Sequence, residues 1–116
     1  MDYLIHKKGE YEIAEIQSTN VAIRNAQDFL DLAANSPSRR IILKKEMLDE
    51  SFFDLKTGIA GEILQKVSNY QMRLAIVGDF SVYTSKSLRD FIYESNLTNQ
   101  VVFVPSTDKA LDRLAR

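Results

Sequence analysis

Three short apolar runs constrain the fold of this chain more than any other feature. They lie at residues 41–43, 74–77 and 101–104, and none of them alternates between apolar and polar residues. A run of this length without alternation is typical of a strand that is covered on both faces, as strands are in a parallel sheet. The sequence therefore predicts a mostly parallel sheet in which 41–43 and 74–77 are the central strands.

Segments with helical spacing occur before, between and after these runs. Asn25 can cap a first helix, and residues 59–70 carry a wide apolar stripe at intervals of three and four. A third helix is predicted at 84–96, and a fourth lies at the end of the chain. In the turn before the second helix, Ser51 and Asp54 are predicted to form a capping pair.

Two strands precede the first helix. Residues 3–6 and 10–17 are rich in β-branched and aromatic side chains, and Gly9 between them indicates a hairpin turn. The alternation in the second strand changes phase, which predicts either a bulge or burial on both faces. The fold class is therefore α/β, with the order β-β-α-β-α-β-α-β-α, right-handed crossovers and helices packed on the sheet.

Length and composition indicate one ordinary globular domain over residues 1–116. Fifteen Lys and Arg against sixteen Asp and Glu leave a formal net charge of -1, so no global field attracts nucleic acid or an anionic membrane. Cysteine is absent, which excludes disulfides and thiolate chemistry within this sequence. The N-terminal residues show no apolar stretch typical of a signal peptide or membrane span, so we expect a cytoplasmic protein.

Polar residues after the second buried strand are the candidates for ligand binding. Asp79 stands just past the carboxyl end of that strand, where open α/β sheets place ligands, and Ser81, Thr84 and Lys86 follow it. We favour a structural role for Asp79, as an acceptor for backbone amides of its own loop. His6 has no second His or Cys to share a metal, and no glycine-rich phosphate loop is present. The sequence predicts no metal site, no cofactor and no catalytic set.

Two glycines at the start of the second helix require an explanation. Gly58 and Gly61 each cost about 1 kcal/mol relative to Ala when they lie inside a helix. Close approach of another group is the expected reason. That group is either the protein's own sheet, which we favour, or a binding partner.

Two stretches resemble the bacterial family known as domain of unknown function 4180. They are Phe-Phe-Asp-Leu-Lys-Thr-Gly-Ile-Ala-Gly-Glu at 52–62 and Arg-Leu-Ala-Ile-Val-Gly-Asp-Phe-Ser at 73–81. The resemblance extends over residues 38–114 and implies a bacterial protein. It implies no particular activity.

The same span is similar, more distantly, to the STAS domain of sulfate transporters and anti-sigma-factor antagonists. In that family a strand leads into an Asp-Ser-Ser-Gly-Leu turn that opens a helix, and here Leu-Lys-Thr-Gly-Ile occupies the turn. The resemblance places Thr57 at the hydroxyl residue that a partner kinase phosphorylates, and Gly58 at the following glycine. Leu55 stands in place of the acidic residue, and Lys56 stands where a second Ser is usual.

We therefore expect a small regulatory module that binds another protein rather than an enzyme. Its working face is predicted to be the 52–61 turn with the neighbouring 78–87 loop, and its partner-binding residues are Phe52, Phe53, Thr57, Gly58 and Gly61. The alternative is a small-molecule or anion-binding protein, or an enzyme, that uses Asp79, Ser81 and Thr57. Nucleic-acid binding would require one surface made of Arg39, Arg40, Lys44, Lys45 and Lys56.

Overall fold

A computed structural model describes residues 2–18, 20 and 22–116 of the chain. In these residues five strands form one sheet in the order β1-β2-β3-β4-β5. The first pair is antiparallel and the other three pairs are parallel. The strands are β1 (Tyr3–Lys8), β2 (Tyr11–Ile16), β3 (Arg40–Lys44), β4 (Arg73–Val77) and β5 (Val101–Val104). The predicted hairpin, mostly parallel sheet and interior positions of β3 and β4 are thereby confirmed.

Four α-helices connect or follow the parallel strands in the part of the chain that the structure describes. They are α1 (Ala26–Ala34), α2 (Ile59–Asn69), α3 (Lys86–Thr98) and α4 (Thr107–Leu114). Three single-turn 3-10 helices, Lys45–Met47, Glu50–Phe53 and Leu55–Thr57, lie between β3 and α2. No helix among the described residues is long and apolar enough to cross a membrane.

The hairpin resolves the phase change in the second strand. The pairing of β1 with β2 runs without interruption from Tyr3 opposite Ile16 to Lys8 opposite Tyr11, so the strand contains no bulge. Instead, the four consecutive residues 13–16 are all buried. Burial on both faces explains why the apolar residues do not alternate there.

The sheet separates two apolar cores. Ile41 and Leu43 face the larger core, which lies under α1, α2 and α3, whereas Ile42 faces a smaller core under α4. Successive side chains of a strand point to opposite faces, so an uninterrupted apolar run serves both cores. Ala110 and Leu114 of α4 are fully buried against this second face.

Side-chain caps set several element boundaries. The carboxamide of Asn25 accepts a hydrogen bond from the backbone N–H of Asp28 at 2.8 Å, as predicted. Helix α3 begins at Lys86 rather than at residue 84, because the Ser85 hydroxyl caps it. The predicted Ser51 and Asp54 capping pair is wrong: Asp49 caps one single-turn helix, and Asp54 caps the next.

The outer edge of β5 is covered by side chains of α3. The carboxamide of Asn96 accepts a hydrogen bond from the N–H of Phe103 at 2.7 Å and donates one to its carbonyl at 3.2 Å. The buried Ser95 hydroxyl donates to the carbonyl of Val101 at 2.5 Å. These bonds occupy backbone groups that would otherwise be open to pairing with another chain.

Candidate functional site at the carboxyl edge of the sheet

The segment after β3 and the loop after β4 meet at the carboxyl edge of the sheet. The Phe53 ring stacks on the Tyr83 ring, with centroids 4.7 Å apart and an interplanar angle of 16°. Phe80, in the same loop as Tyr83, lies 6.2 Å from Phe53. Aromatic packing thus joins the two segments that the sequence predicts as one working face.

The two phenylalanines of this face belong to the core. Phe52 is 1% exposed and Phe53 is 7% exposed, and Phe52 packs 6.3 Å from Phe103 of β5. The sequence predicts both as apolar contacts for a partner, but both side chains are buried in the structure. Burial of rings this large stabilises the fold strongly, so we assign them to the support of the site rather than to its contact surface.

The sequence suggests Lys45 only as part of a basic nucleic-acid surface and does not predict its position at this edge. Its Nζ lies 5.0 Å from the centroid of Tyr83 and 5.8 Å from that of Phe53, within range of a cation–π interaction. The Tyr83 hydroxyl also lies 3.3 Å from one carboxylate oxygen of Glu50. Cation, aromatic hydroxyl and carboxylate thus form one polar cluster beside the buried rings.

The surroundings of this cluster favour its charged lysine. Partial burial by itself lowers the pKa of Lys45, but the Tyr83 hydroxyl and the negative charges of Glu50 and Glu46 outweigh it, so the pKa is raised. Burial raises the pKa of Tyr83 above its usual range. Both shifts favour a cationic Lys45 and a neutral Tyr83 phenol at neutral pH.

Gly78 is the sequence signal that could have located Lys45. A Cβ built at Gly78 would lie 2.6 Å from the Cβ of Lys45, closer than the usual contact distance of two carbon atoms that are not bonded to each other. A Cβ at the residue after β4 would therefore force a shift where Lys45 crosses it. The pair brings the ends of two neighbouring strands into close contact.

Asp79 has the structural role that the sequence favours. The N–H and hydroxyl of Ser81 both donate to the Asp79 carboxylate, at 3.0 and 2.5 Å. These hydrogen bonds lower the pKa of Asp79, because they stabilise its charged form. Asp49 and Ser51 form the same closed turn before α2. In each turn one carboxylate oxygen accepts both hydrogen bonds.

Thr57 is exposed at the start of α2, as predicted. Its hydroxyl lies 2.8 Å from each of the carbonyl oxygens of Ser51 and Asp54 and accepts a bond from the Ile59 N–H at 3.3 Å. Gly58, the next residue, adopts φ +78°, a left-handed conformation that disfavours residues with a Cβ. Backbone conformation therefore accounts for Gly58.

Gly61 has no internal explanation. It is exposed, and a Cβ built on it would meet no atom within 4 Å. The expectation that the protein's own sheet approaches these two glycines is therefore wrong. Gly61 leaves a side-chain-free area in the first turn of α2, open to the surroundings.

The other predicted ligand residues, Thr84 and Lys86, lie beside the start of α3. Lys86 forms an ion pair with Asp90 at 2.7 Å along α3, and Ser85 rather than Thr84 supplies the helix cap. No hydrogen bond among the described residues joins Asp79 to Thr57, Thr84 or Lys86.

Metal and nucleic-acid residues are also separated. Within residues 2–18, 20 and 22–116, no group of three or more His, Cys, Asp or Glu side chains could hold a metal ion. His6 lies 2.7 Å from the carboxylate of Glu15 across the hairpin. Arg39 and Arg40 are at the amino end of β3, whereas Lys44 and Lys45 are at its carboxyl end, so the basic residues do not form one surface.

Comparison with known proteins identifies one family. The family model described as "Domain of unknown function (DUF4180)" matches residues 8–114, which is most of the chain. No curated protein and no solved structure matches the chain.

Proposed function

The chain belongs to the DUF4180 family, and we propose that it is a cytoplasmic regulatory module that acts by binding another protein. Its binding surface is the exposed start of α2, with Thr57, Gly58 and Gly61 at its centre. The observation that supports this proposal most directly is the open space around Gly61. A partner that approaches the helix backbone there would explain why residue 61 is glycine, which no contact within the described residues explains.

Glycine at position 61 lowers the stability of α2. A helical glycine is less favourable than alanine by about 1 kcal/mol, and the open space around Gly61 would admit the alanine methyl group. A cost without internal benefit points to an external contact. The buried Phe52 and Phe53 hold the preceding turn in place and so position this surface.

Thr57 is the residue at which we propose that binding is switched. It is exposed, it adjoins the N-terminus of α2, and the neighbouring Lys56 carries a positive charge. A phosphate there meets unpaired helix amides and a cation, so the domain tolerates it. A docked partner would have to accommodate two added negative charges, which weakens the complex.

The alternative, an anion site or active site at Asp79, Ser81 and Thr57, is less well supported. The Ser81 N–H and hydroxyl occupy Asp79, and the Thr57 hydroxyl contacts backbone carbonyl oxygens. Both groups therefore have a structural role within their own turns. The proposed protein-binding surface at α2 does not require a free polar group of Asp79 or Ser81.

The test is affinity capture from lysate of the source organism, with Gly61→Trp as the blocking variant. Lys109→Trp is the matched control, since Lys109 is an exposed helical position of α4 on the opposite face of the sheet. We expect wild type and Lys109→Trp to retain the same partner and Gly61→Trp to lose it, with equal thermal stability of the two variants. Equal recovery of the partner by Gly61→Trp would refute this surface.

A further inference from the structure

A second surface lies at the outer edge of β1. This strand is the first in the order of the sheet, and among the described residues it pairs with β2 alone. At the other end of the sheet, side chains of Ser95 and Asn96 occupy backbone groups along the outer edge of β5. The described part of the fold thus covers one edge of the sheet and leaves the other open to pairing.

The open edge presents the backbone groups of three residues. The N–H of Gln17 donates to the carbonyl of Asp2 at 2.9 Å, so these two residues form a hydrogen-bonded pair of the hairpin. Such pairs alternate along an antiparallel ladder, and the even-numbered residues of β1 therefore bond to β2. The N–H and C=O groups of Tyr3, Ile5 and Lys7 point away from β2, and no turn or loop hydrogen bond of the described residues uses them.

The side chains of β1 do little to prevent pairing at this edge. The strand has six residues without proline, and its ladder with β2 contains no bulge. Leu4 and Ile5 are 47% and 38% exposed, and they lie on opposite faces of the strand. Only Lys7 and Lys8, next to the turn, are of the charged type that protects natural sheet edges. A strand that brings no positive charge beside these lysines can therefore pair here.

The sequence of β1 complements itself in one antiparallel register. In this register Ile5 lies on a two-fold axis, opposite Ile5 of a second copy of the chain. The symmetry then places Tyr3 opposite Lys7, so all three residues with outward-facing backbone groups find a partner. It also places Asp2 opposite Lys8 at both ends of the strand pair. Opposite charges in such cross-strand positions are stabilising.

The neighbouring registers, with Leu4 or His6 on the axis, fit less well. Each of them pairs only two of the three outward-facing residues with the same three residues of the second copy. Each also separates Asp2 from Lys8: Asp2 lies opposite His6 in the first register, and Lys8 lies opposite Leu4 in the second. Backbone pairing and charge therefore both favour the register with Ile5 on the axis.

The charges around Lys8 suit an additional carboxylate. The Nζ of Lys8 lies 3.0 Å from the carboxylate of Asp112 on α4. The hydrogen bond and positive charge of Lys8 lower the pKa of Asp112, and the charges of Lys109 and Arg116 act in the same direction. Three cations thus act on this one carboxylate, and the positive charge that remains attracts Asp2 of a second copy.

We propose that two copies of the chain pair through β1 in this register and form a two-fold dimer with one continuous sheet. A single pair of strands buries less surface than the about 1,600 Å² of a standard interface, so we expect a weak and reversible dimer. The proposal does not depend on the proposed protein-binding function, because β1 contributes no residue to the surface at the start of α2.

The first test is sedimentation velocity of the full chain from about 10 μM to about 1 mM, the Kd range of a weak interface. Ile5→Lys is the blocking variant, because it places two lysines opposite each other on the axis. Leu97→Lys is the matched control, since it replaces another exposed apolar side chain by the same charge, on α3. Thermal melts check that both variants are folded. We expect Leu97→Lys to dimerise as wild type does, and Ile5→Lys to dimerise at least about tenfold more weakly.

The second test determines the register by disulfide cross-linking. The chain has no cysteine, so Asp2→Cys and Lys8→Cys each carry a single thiol. In a mixed dimer of the two variants these thiols face each other in a non-hydrogen-bonded pair, whose Cα atoms lie about 4.5 Å apart, within the range of a disulfide. The native Asp2 and Lys8 still face each other at the other end.

Mass spectrometry separates the products of mild oxidation of this mixture. We expect the mixed disulfide to exceed either disulfide between identical variants at least about tenfold. The reason is that identical thiols lie at opposite ends of the strand pair, roughly 20 Å apart at about 3.3 Å per residue.

Three results would overturn the proposal. The first is a wild-type chain that stays monomeric up to about 1 mM. The second is equal dimerisation of Ile5→Lys and Leu97→Lys, and the third is a statistical mixture of disulfides, which chance collision would produce. A monomeric wild type that captures a different protein, which Ile5→Lys loses, would likewise replace the second copy with a foreign strand.

Discussion

Gly78→Ala tests the close contact that joins β3 and β4 at the carboxyl edge. The new Cβ would lie 2.6 Å from Cβ, 3.0 Å from Cδ and 3.3 Å from Cγ of Lys45. Cδ and Cγ can move with the flexible side chain, but the Cβ of Lys45 is attached to the backbone. One strand end must therefore shift, and overpacking of this kind costs about 1–3 kcal/mol of unfolding free energy.

The same substitution also has a stabilising effect, which is smaller. Alanine restricts the unfolded chain more than glycine does, which stabilises the native state by about 0.4–1 kcal/mol where the conformation allows alanine. Gly78 is not among the glycines with positive φ, so the penalty is steric rather than conformational. We expect a net loss of about 1–2 kcal/mol from the two effects together.

Gly61→Ala is the matched control, because its Cβ meets no atom within 4 Å. It should raise the unfolding free energy by up to about 1 kcal/mol. The contact itself is isolated by a cycle with Lys45→Gly, which removes the opposing Cβ. Lys45→Ala keeps that Cβ, so it should leave most of the Gly78→Ala penalty in place.

The assay is urea unfolding with m-values, because a domain of this size is expected to unfold in a two-state transition. We expect a coupling free energy of about 1 kcal/mol or more between Gly78→Ala and Lys45→Gly. A Gly78→Ala penalty that is the same with Lys45 and with Gly at position 45 would show that the contact does not limit the substitution. Equal changes in unfolding free energy for Gly78→Ala and Gly61→Ala would also contradict a limiting contact with Lys45.

The remaining predictions concern acid stability, the proposed switch and the sheet edge. Hydrogen bonds from Ser81 lower the pKa of Asp79 in the folded protein. The contribution of the Asp79 carboxylate to the unfolding free energy is therefore present at neutral pH and is lost as the pH falls through the ordinary aspartate range and below. Urea unfolding of Asp79→Asn should therefore depend less on acid pH than wild type, and identical profiles would rule this out. Thr57→Glu should change the unfolding free energy by no more than about 1 kcal/mol, since the charge lies at a helix N-terminus, yet reduce partner recovery in the capture experiment. Loss of fold in Thr57→Glu, or full partner recovery by it, would exclude the switch. Asn96→Leu should cost about 1–3 kcal/mol and promote association at high concentration, because the backbone N–H and C=O of Phe103 lose the Asn96 carboxamide as their partner at the edge. Unchanged melts and an unchanged profile in light scattering would show that Asn96 does not protect the edge.

Much of the fold could be predicted from local patterns. The apolar runs of β3 and β4 predicted interior strands because a strand covered on both faces cannot alternate, and the structure places both there. Asn25 predicted the start of α1 because capping depends on neighbours within one turn. The prediction was less accurate before α2, where Asp49 and Asp54 cap two separate turns instead of one shared turn. Acidic and hydroxyl residues are closely spaced there, and several local hydrogen-bond patterns compete.

Which residues form the two surfaces could be determined only from the tertiary structure. A hydrophobic pair such as Phe52 and Phe53 in a loop has the same local pattern whether it is exposed or buried, and only packing against β5 and Tyr83 decides. The crossing of Lys45 over Gly78 depends on the register of two strands that are distant in sequence. The same register places Arg40 beside Arg73.

The sequence by itself determined the elements, their order and the layers of this protein, because periodicity and capping act over a few residues. Only the tertiary structure decided which side chains from separate elements share a surface. Strand register and the choice of sheet face are set by the packing of the whole core. For this reason Gly61 is seen to be open and the arginines of β3 and β4 to be adjacent only once the sheet has formed.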